Sequence, residues 1–273
     1  MTEHGVPADQ IDTSRPHPAR VYDFYLGGKD NYPVDWALAE QVLAIFPTMK
    51  SGAQLNRAFM HRATRWLADQ AGIRQFLDIG AGIPTQPNLH QVAQAVAPDA
   101  RIVYTDNDPI VLAHAQALLR STPQGRTAYI QADVREPGKI FAAPQLRDTL
   151  DLSRPVALSL NALLHFVPDE FGPYDLVRQL VAELPSGSYL VLSHVTGDFD
   201  PDTWGKIVAF YRTSGIPAQA RSLKEILPFF DGLELVDPGV VVATDWRPEP
   251  DQPSYDAAPD VPIPLYAAVA RKP

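Results

Sequence analysis

Residues 75–84, Gln75-Phe76-Leu77-Asp78-Ile79-Gly80-Ala81-Gly82-Ile83-Pro84, decide the fold. The apolar run Gln75–Ile79 has strand length and leads directly into two glycines. Glycines at the carboxyl end of a strand allow a sharp turn and a close approach of backbone to ligand. Just beyond, Asn88-Leu89-His90-Gln91 reads as a capping box opening a helix that buries Leu89, Val92, Ala93 and Val96. The same rhythm continues through strand-length runs at Arg101–Thr105, Thr127–Gln131, Pro155–Leu160 and Tyr189–Ser193. Helical patterns at Pro109–Arg120 and Tyr174–Leu184 fall between them. This alternation predicts βαβ units on a parallel sheet covered on both faces.

Working outward, Ala19–Leu26 is a short helix ended by Gly27-Gly28, and apolar stripes follow at Trp36–Phe46 and Leu55–Ala71. After the fifth strand come Trp204–Tyr211 and a helix opened by Ser222-Leu223-Lys224-Glu225. Two last runs, Leu233–Val242 and Leu265–Ala270, are separated by the Pro-rich loop Arg247–Pro264 and predict an antiparallel hairpin at one edge. The expected architecture is α/β and Rossmann-like: five parallel strands plus a C-terminal antiparallel hairpin, helices on both faces and an N-terminal helical lid. Residues 1–72 form the arm and cap, and 73–273 the sheet domain, in one structural unit. An all-parallel dinucleotide-binding sheet is the alternative.

The 273 residues are 45% hydrophobic and 20% charged, a globular composition that needs no staples. Cysteine is absent, which removes disulfides, Cys-based zinc sites, iron–sulfur clusters and cysteine nucleophiles. A net charge of −9 argues against nucleic acid or anionic lipid as partners. No run approaches the ~20 apolar residues of a membrane helix, and Met1–Arg20 lacks the apolar centre of a secretory signal, so a cytoplasmic location is expected.

Gly80 and Gly82 alone would also suit a purely structural turn. Two further strand ends add to them. Asp106, beside Asn107, ends the second strand, where a carboxylate can accept both hydroxyls of an adenosine ribose. Capping of the next helix is the competing explanation, but Asp108 before Pro109 fills that need. Asp133 ends the third strand; it can accept from an adenine amino group while Val134 meets the ring, or it is a solvated loop acid. For a dinucleotide, the third glycine of the fingerprint should stand where Thr85 does, and Pro87 delays the helix further. S-adenosylmethionine (SAM) carries no phosphate, and Asp78 supplies negative charge for its ammonium. SAM fits better.

The pattern QFLDIGAGIP, YTDNDP, QADVREP resembles the class I SAM-dependent methyltransferases. More narrowly, ARVYDFYLGGKDNY, LNRAFMHRATRWL, GAGIPTQPNLH and LHFVPD are similar to one bacterial family, the S-adenosyl methyltransferases formerly catalogued as a domain of unknown function. The likeness runs roughly from Arg15 to Pro273. It implies the class I methyltransferase fold and a SAM site, with Asp78, Gly80 and Gly82 at the methionyl end, Asp106 on the ribose, and Asp133 and Val134 at the adenine.

Tyr22, Tyr25, Gly28, Lys29, Asn31 and Tyr32 concentrate polar tips before the sheet and are read as a lid over cofactor and substrate, against the alternative of a helix and turn docked on the surface. Gly27-Gly28-Lys29 is no phosphate loop, because the upstream glycine and the following Ser/Thr are missing. His165, past the fourth strand, is the candidate general base, or else a packed wall residue; His194 is a weaker candidate. No spacing resembles a metal site, and His61 and His114 lie on helix surfaces without partners in sequence. The expected activity is methyl transfer from SAM to O or N of a small-molecule acceptor, leaving S-adenosylhomocysteine (SAH). Lack of cysteine excludes cytosine-C5 methylation and radical SAM chemistry. Asn161-Ala162-Leu163-Leu164 lacks the Asn/Asp-Pro-Pro-aromatic pattern of amino-methylating DNA enzymes. A SAM-binding protein without turnover and an NAD(P)-dependent oxidoreductase are the alternatives, and oligomeric state is left open.

Overall fold

The computed structural model describes residues 12–111, 120–250 and 263–273. Most of the expected helix Pro109–Arg120, with His114, and much of the loop Arg247–Pro264 lie outside these residues.

Five strands are parallel: β1 (Gln75–Ile79), β2 (Arg101–Asp106), β3 (Arg126–Gln131), β4 (Ala157–Asn161) and β5 (Tyr189–Val195). They stand in the order β3-β2-β1-β4-β5, so the chain reverses direction across the sheet between β1 and β4. Ligands of open α/β sheets sit outside the carboxyl ends at such a switch point. The predicted hairpin forms with two differences. Asp237-Pro238-Gly239 splits the run Leu233–Val242 into β6 (Glu234–Leu235) and β7 (Val241–Val242), with a turn closed by Gly239 N–H donating to Val236 O at 2.8 Å. Both pair antiparallel with β8 (Leu265–Arg271), which lies inside them and pairs antiparallel with β5.

Alternation along the strands divides the core. Leu77, Ile79, Val103, Leu158, Leu160 and Leu192 face one side, and Phe76, Ile102, Tyr104, Ala157 and Val191 face the other. The second side is covered by α3 (Met49–Asp69), through Leu55, Phe59, Ala63 and Leu67, and by α4 (Leu89–Val96). The first side is covered partly by two helices absent from the sequence reading, α5 (Pro137–Ala142) and α6 (Pro144–Thr149). Each begins with a proline at its first turn, where the missing N–H costs nothing, so residues that look like breakers are starters. Next on this side comes α7 (Pro173–Ala182), followed in the chain by α8 (Pro201–Thr213). A third core joins α1 (Pro18–Tyr25) and α2 (Pro33–Ile45) to α8 through Val21, Tyr25, Leu38, Val42, Trp204 and Tyr211. Within the described residues, no helix is long and apolar enough to cross a membrane.

Candidate active site

The glycine turn after β1 is tied to its neighbour. Gly80 and Ala81 N–H both donate to Thr105 O, at 2.8 and 3.1 Å. Gly80 has φ +75°, and a Cβ there would lie 2.6 Å from a Leu163 methyl, so both backbone and space demand glycine. Asp106 completes the turn: its carboxylate accepts from Gly82 N–H at 2.8 Å and from Asp108 N–H at 3.0 Å. Asp108 takes the capping duty, accepting from Ile110 N–H at 3.0 Å. From α3, Arg57 donates to the carbonyls of Thr85 and Pro87, at 2.5 and 2.8 Å, and holds the rest of the loop.

These ends surround a cavity of about 820 Å³. Asp78, Gly80, Gly82, Asp106, Asn107, Asp133 and Val134, all singled out in the sequence, line it together. So does Tyr22, expected in the lid, together with residues the sequence did not flag: Pro16–Ala19 of the arm, Asn56 and Arg57 of α3, and Asn161 and Ala162 at the end of β4. Sheet register sets Asp78 level with Ser159 on β4. Burial pushes the Asp78 carboxyl up to about 6, with Ser159 and Arg57 opposing the rise. Burial also raises Asp106, opposed by its two backbone donors and by His17. Asp133 is held differently. Its burial is outweighed by Arg135, whose backbone N–H (2.9 Å), Nε (2.9 Å) and Nη2 (2.6 Å) all donate to the carboxylate and keep it below the usual range. Asn107 Nδ2 adds a contact at 3.3 Å.

The residues present suit SAM. An ammonium needs acceptors, and Asn161 Oδ1 is buried in the cavity wall without a partner while its Nδ2 donates to Ser159 Oγ at 2.7 Å. The glycine cradle, which any side chain at residue 80 would fill, lies beside it.

A second, smaller chamber adjoins the first across Tyr22, Asn56, Ala162 and Phe166, which line both. The partition is hydrogen-bonded. Ala162 N–H donates to Ser193 Oγ (2.9 Å), Ser193 Oγ to Asn56 Oδ1 (2.6 Å), Asn56 Nδ2 to Tyr22 Oη (2.9 Å) and Tyr22 Oη to Ala53 O (3.0 Å). Tyr25 and His165 face this chamber, not the larger cavity. His165 is buried, its Nδ1 has no partner, and burial with nearby His194 and Arg221 drives its pKa well below the ordinary value. His194 lines neither space. Its Nδ1 donates to Val195 O (2.7 Å) and its Nε2 accepts from buried Arg221 (2.8 Å), which fixes it as a neutral structural group. His61 meets Pro87 O at 2.9 Å.

Gly28, Lys29, Asn31 and Tyr32, expected in the lid, line neither space. Their turn is built around Asp23 instead. Its carboxylate accepts from Asp30 N–H (3.0 Å) and Asn31 Nδ2 (2.6 Å), and a Cβ at Gly28 would collide with it at 2.0 Å. Tyr32 lies under the Arg20 guanidinium, 5.5 Å from ring centre to Cζ. The part of the arm that reaches the cavity comes earlier, from Pro16 to Tyr22. It is latched there by His17 Nδ1, 3.1 Å from Asp108 Oδ2, and by Arg20 Nε, 3.5 and 3.6 Å from the carboxylates of Asp35 and Asp108.

Comparison with known proteins gives the family. A crystal structure of a DUF574 family protein from Streptomyces avermitilis is 50% identical, with a TM-score of 0.92 over 96% of this chain and 100% of the other. The crystal structure of a Thermobifida fusca protein classed as a methyltransferase is 40% identical, with a TM-score of 0.86 over 97% and 98% of the two chains. A Mycobacterium ulcerans protein named as a SAM-dependent methyltransferase is 28% identical over 59% of this chain; the match spans about half of that relative, 53% of its length. The model of the S-adenosyl methyltransferase family matches residues 4–273. The chain belongs to the S-adenosyl methyltransferase family, whose cofactor is SAM.

Proposed function

We propose that this protein methylates an oxygen or nitrogen of a small-molecule acceptor, using SAM held at the carboxyl ends of β1 to β4. The observation that carries the reading is the convergence of Gly80, Asp106, Asp133 and the unpartnered Asn161 Oδ1 on one cavity. Asp78 and Asn161 would take the ammonium, and Arg57, whose charge is felt at Asp78, suits the carboxylate. The free lone pairs of Asp106 would accept the ribose hydroxyls, and Asp133 with Val134 would border the adenine. Bound there, the sulfonium supplies an activated methyl group with a good leaving group already attached.

The protein's own share is alignment and exclusion of water. Pro16–Ala19 and Tyr22 of the arm line the cavity, and the Tyr22–Asn56–Ser193 hydrogen bonds mark its border with the inner chamber. His165 lines the inner chamber as a neutral imidazole, so its contribution is to orient an acceptor and not to serve as the general base. Isothermal calorimetry tests the reading. SAM and SAH should each saturate a single site while NAD shows no heat; binding of NAD in preference to SAM would overturn it.

A further inference from the structure

The inner chamber has features that cofactor binding does not use. Its walls are ring-rich: Phe46 packs on Trp204 with centroids 5.8 Å apart, and Phe166 on Tyr211 at 5.7 Å. Among the described residues lining it, none is Asp, Glu, Lys or Arg, and His165 is neutral. A charged ligand would lose its hydration there without compensation. Two ring nitrogens of this wall, Trp204 Nε1 and His165 Nδ1, are buried with no partner, in side chains 4% and 8% exposed. An indole N–H only donates, and leaving it unmet in a core is costly, so an oxygen acceptor is the matching ligand atom.

Size narrows the class further. The chamber holds about 90 Å³, less than the roughly 150 Å³ that encloses a benzene ring. A single ring entering it therefore leaves its outer edge between Tyr22, Asn56, Ala162 and Phe166, in the larger cavity.

We propose that this chamber is the acceptor subsite and that it takes an uncharged, single-ring aromatic compound. An oxygen on the inner end of the ring meets Trp204 Nε1 and His165 Nδ1, and the group to be methylated lies on the outer edge. The assignment of "acceptor" rests on the methyltransferase reading; the binding site does not. Gly52 on α3 lines the chamber, and a Cβ added there meets nothing within 4 Å, so Gly52→Leu places a side chain in the ring's space.

The test is fluorine NMR line broadening of 4-fluorophenol, with charged 4-fluorobenzoate as comparison, recorded with and without SAH. The phenol should broaden and the benzoate should not. Gly52→Leu should weaken phenol binding at least tenfold while SAH affinity, read by calorimetry, stays within twofold. Trp204→Phe keeps a ring but removes the N–H, and should weaken the phenol three- to tenfold. Equal broadening of both probes, or phenol binding unchanged in a folded Gly52→Leu, would overturn the proposal. If that variant does not fold, Trp204→Phe decides: affinity within twofold of the parent overturns it. Failure of SAH to bind at all would instead sink the methyltransferase reading, and the phenol measurements without SAH would still judge the chamber.

Discussion

Asp106 closes the glycine turn, and in the proposed function the same side chain also meets the ligand. Its carboxylate accepts two backbone N–H groups, from Gly82 and Asp108, one on each oxygen, which leaves each oxygen able to accept again. Asp106→Ala should therefore cost SAM at least tenfold in affinity, since a hydrogen bond to a charged group contributes about 1.5–3 kcal/mol. It should also lower the melting temperature of the apo protein by roughly 2–8 °C, through the two orphaned donors. Calorimetry and thermal melts check both; parent-like SAM affinity would mean that Asp106 serves only the turn. Asp78 gives a pH signature. With its pKa near 6, it is a carboxylate above that pH and a neutral acid below it. SAM affinity should fall by up to about tenfold per pH unit below 6, because the partner of the ammonium is lost. 5′-Methylthioadenosine has no ammonium and should show no such fall, which separates Asp78 from Asp106. Stability of the apo protein moves the other way. The folded pKa lies above the unfolded one, so the folded state binds the extra proton, and this group's stabilising effect grows as pH falls from 6 toward 4.

The arm and the glycine turn differ in how much of them the residues announced. Strand ends are legible because a period of two, followed by glycine or a carboxylate, has few other uses; Gly80, Gly82, Asp106 and Asp133 were all identified this way. Asn56, Asn161 and Pro16–Ala19 were not. Their place at the site comes from packing across more than 20 residues of sequence, as in the bond from Ser193 to Asn56, and no local pattern marks it. Lys29 and Asn31 misled for a related reason: polar tips near a glycine pair look like a lid, yet Asp23 gathers the turn onto itself. The lid is now expected from Pro16 to Tyr22. Amide hydrogen exchange in residues 18–25 should slow at least several-fold on SAM binding, while residues 28–32 change little. Equal protection with and without SAM would show that α1 is a fixed wall. Deleting residues 1–32 should lower the melting temperature in either case, since Val21 and Tyr25 belong to the third core.

The molecule as a whole follows from one sheet with a switch point between β1 and β4 and a helical cap set over its carboxyl edge. The five parallel strands and the edge hairpin were readable from run lengths and loops; their order across the sheet was not. Nor was the division of β6 from β7, because two-residue strands carry too little periodicity to register, and the seating of β8 beside β5 is a long-range pairing that no run length marks. Two adjoining spaces result, one of about 820 Å³ edged by the strand-end carboxylates, the other apolar and about 90 Å³. The claim on which the rest depends is that the larger one holds the cofactor. A crystal structure of the protein grown with SAH tests it most directly. The account predicts the nucleoside across the ends of β1, β2 and β3, with the ribose hydroxyls on Asp106 and the amino group within hydrogen-bonding distance of Asp78 or Asn161. Density for SAH anywhere else, or a ribose turned away from Asp106, would contradict it.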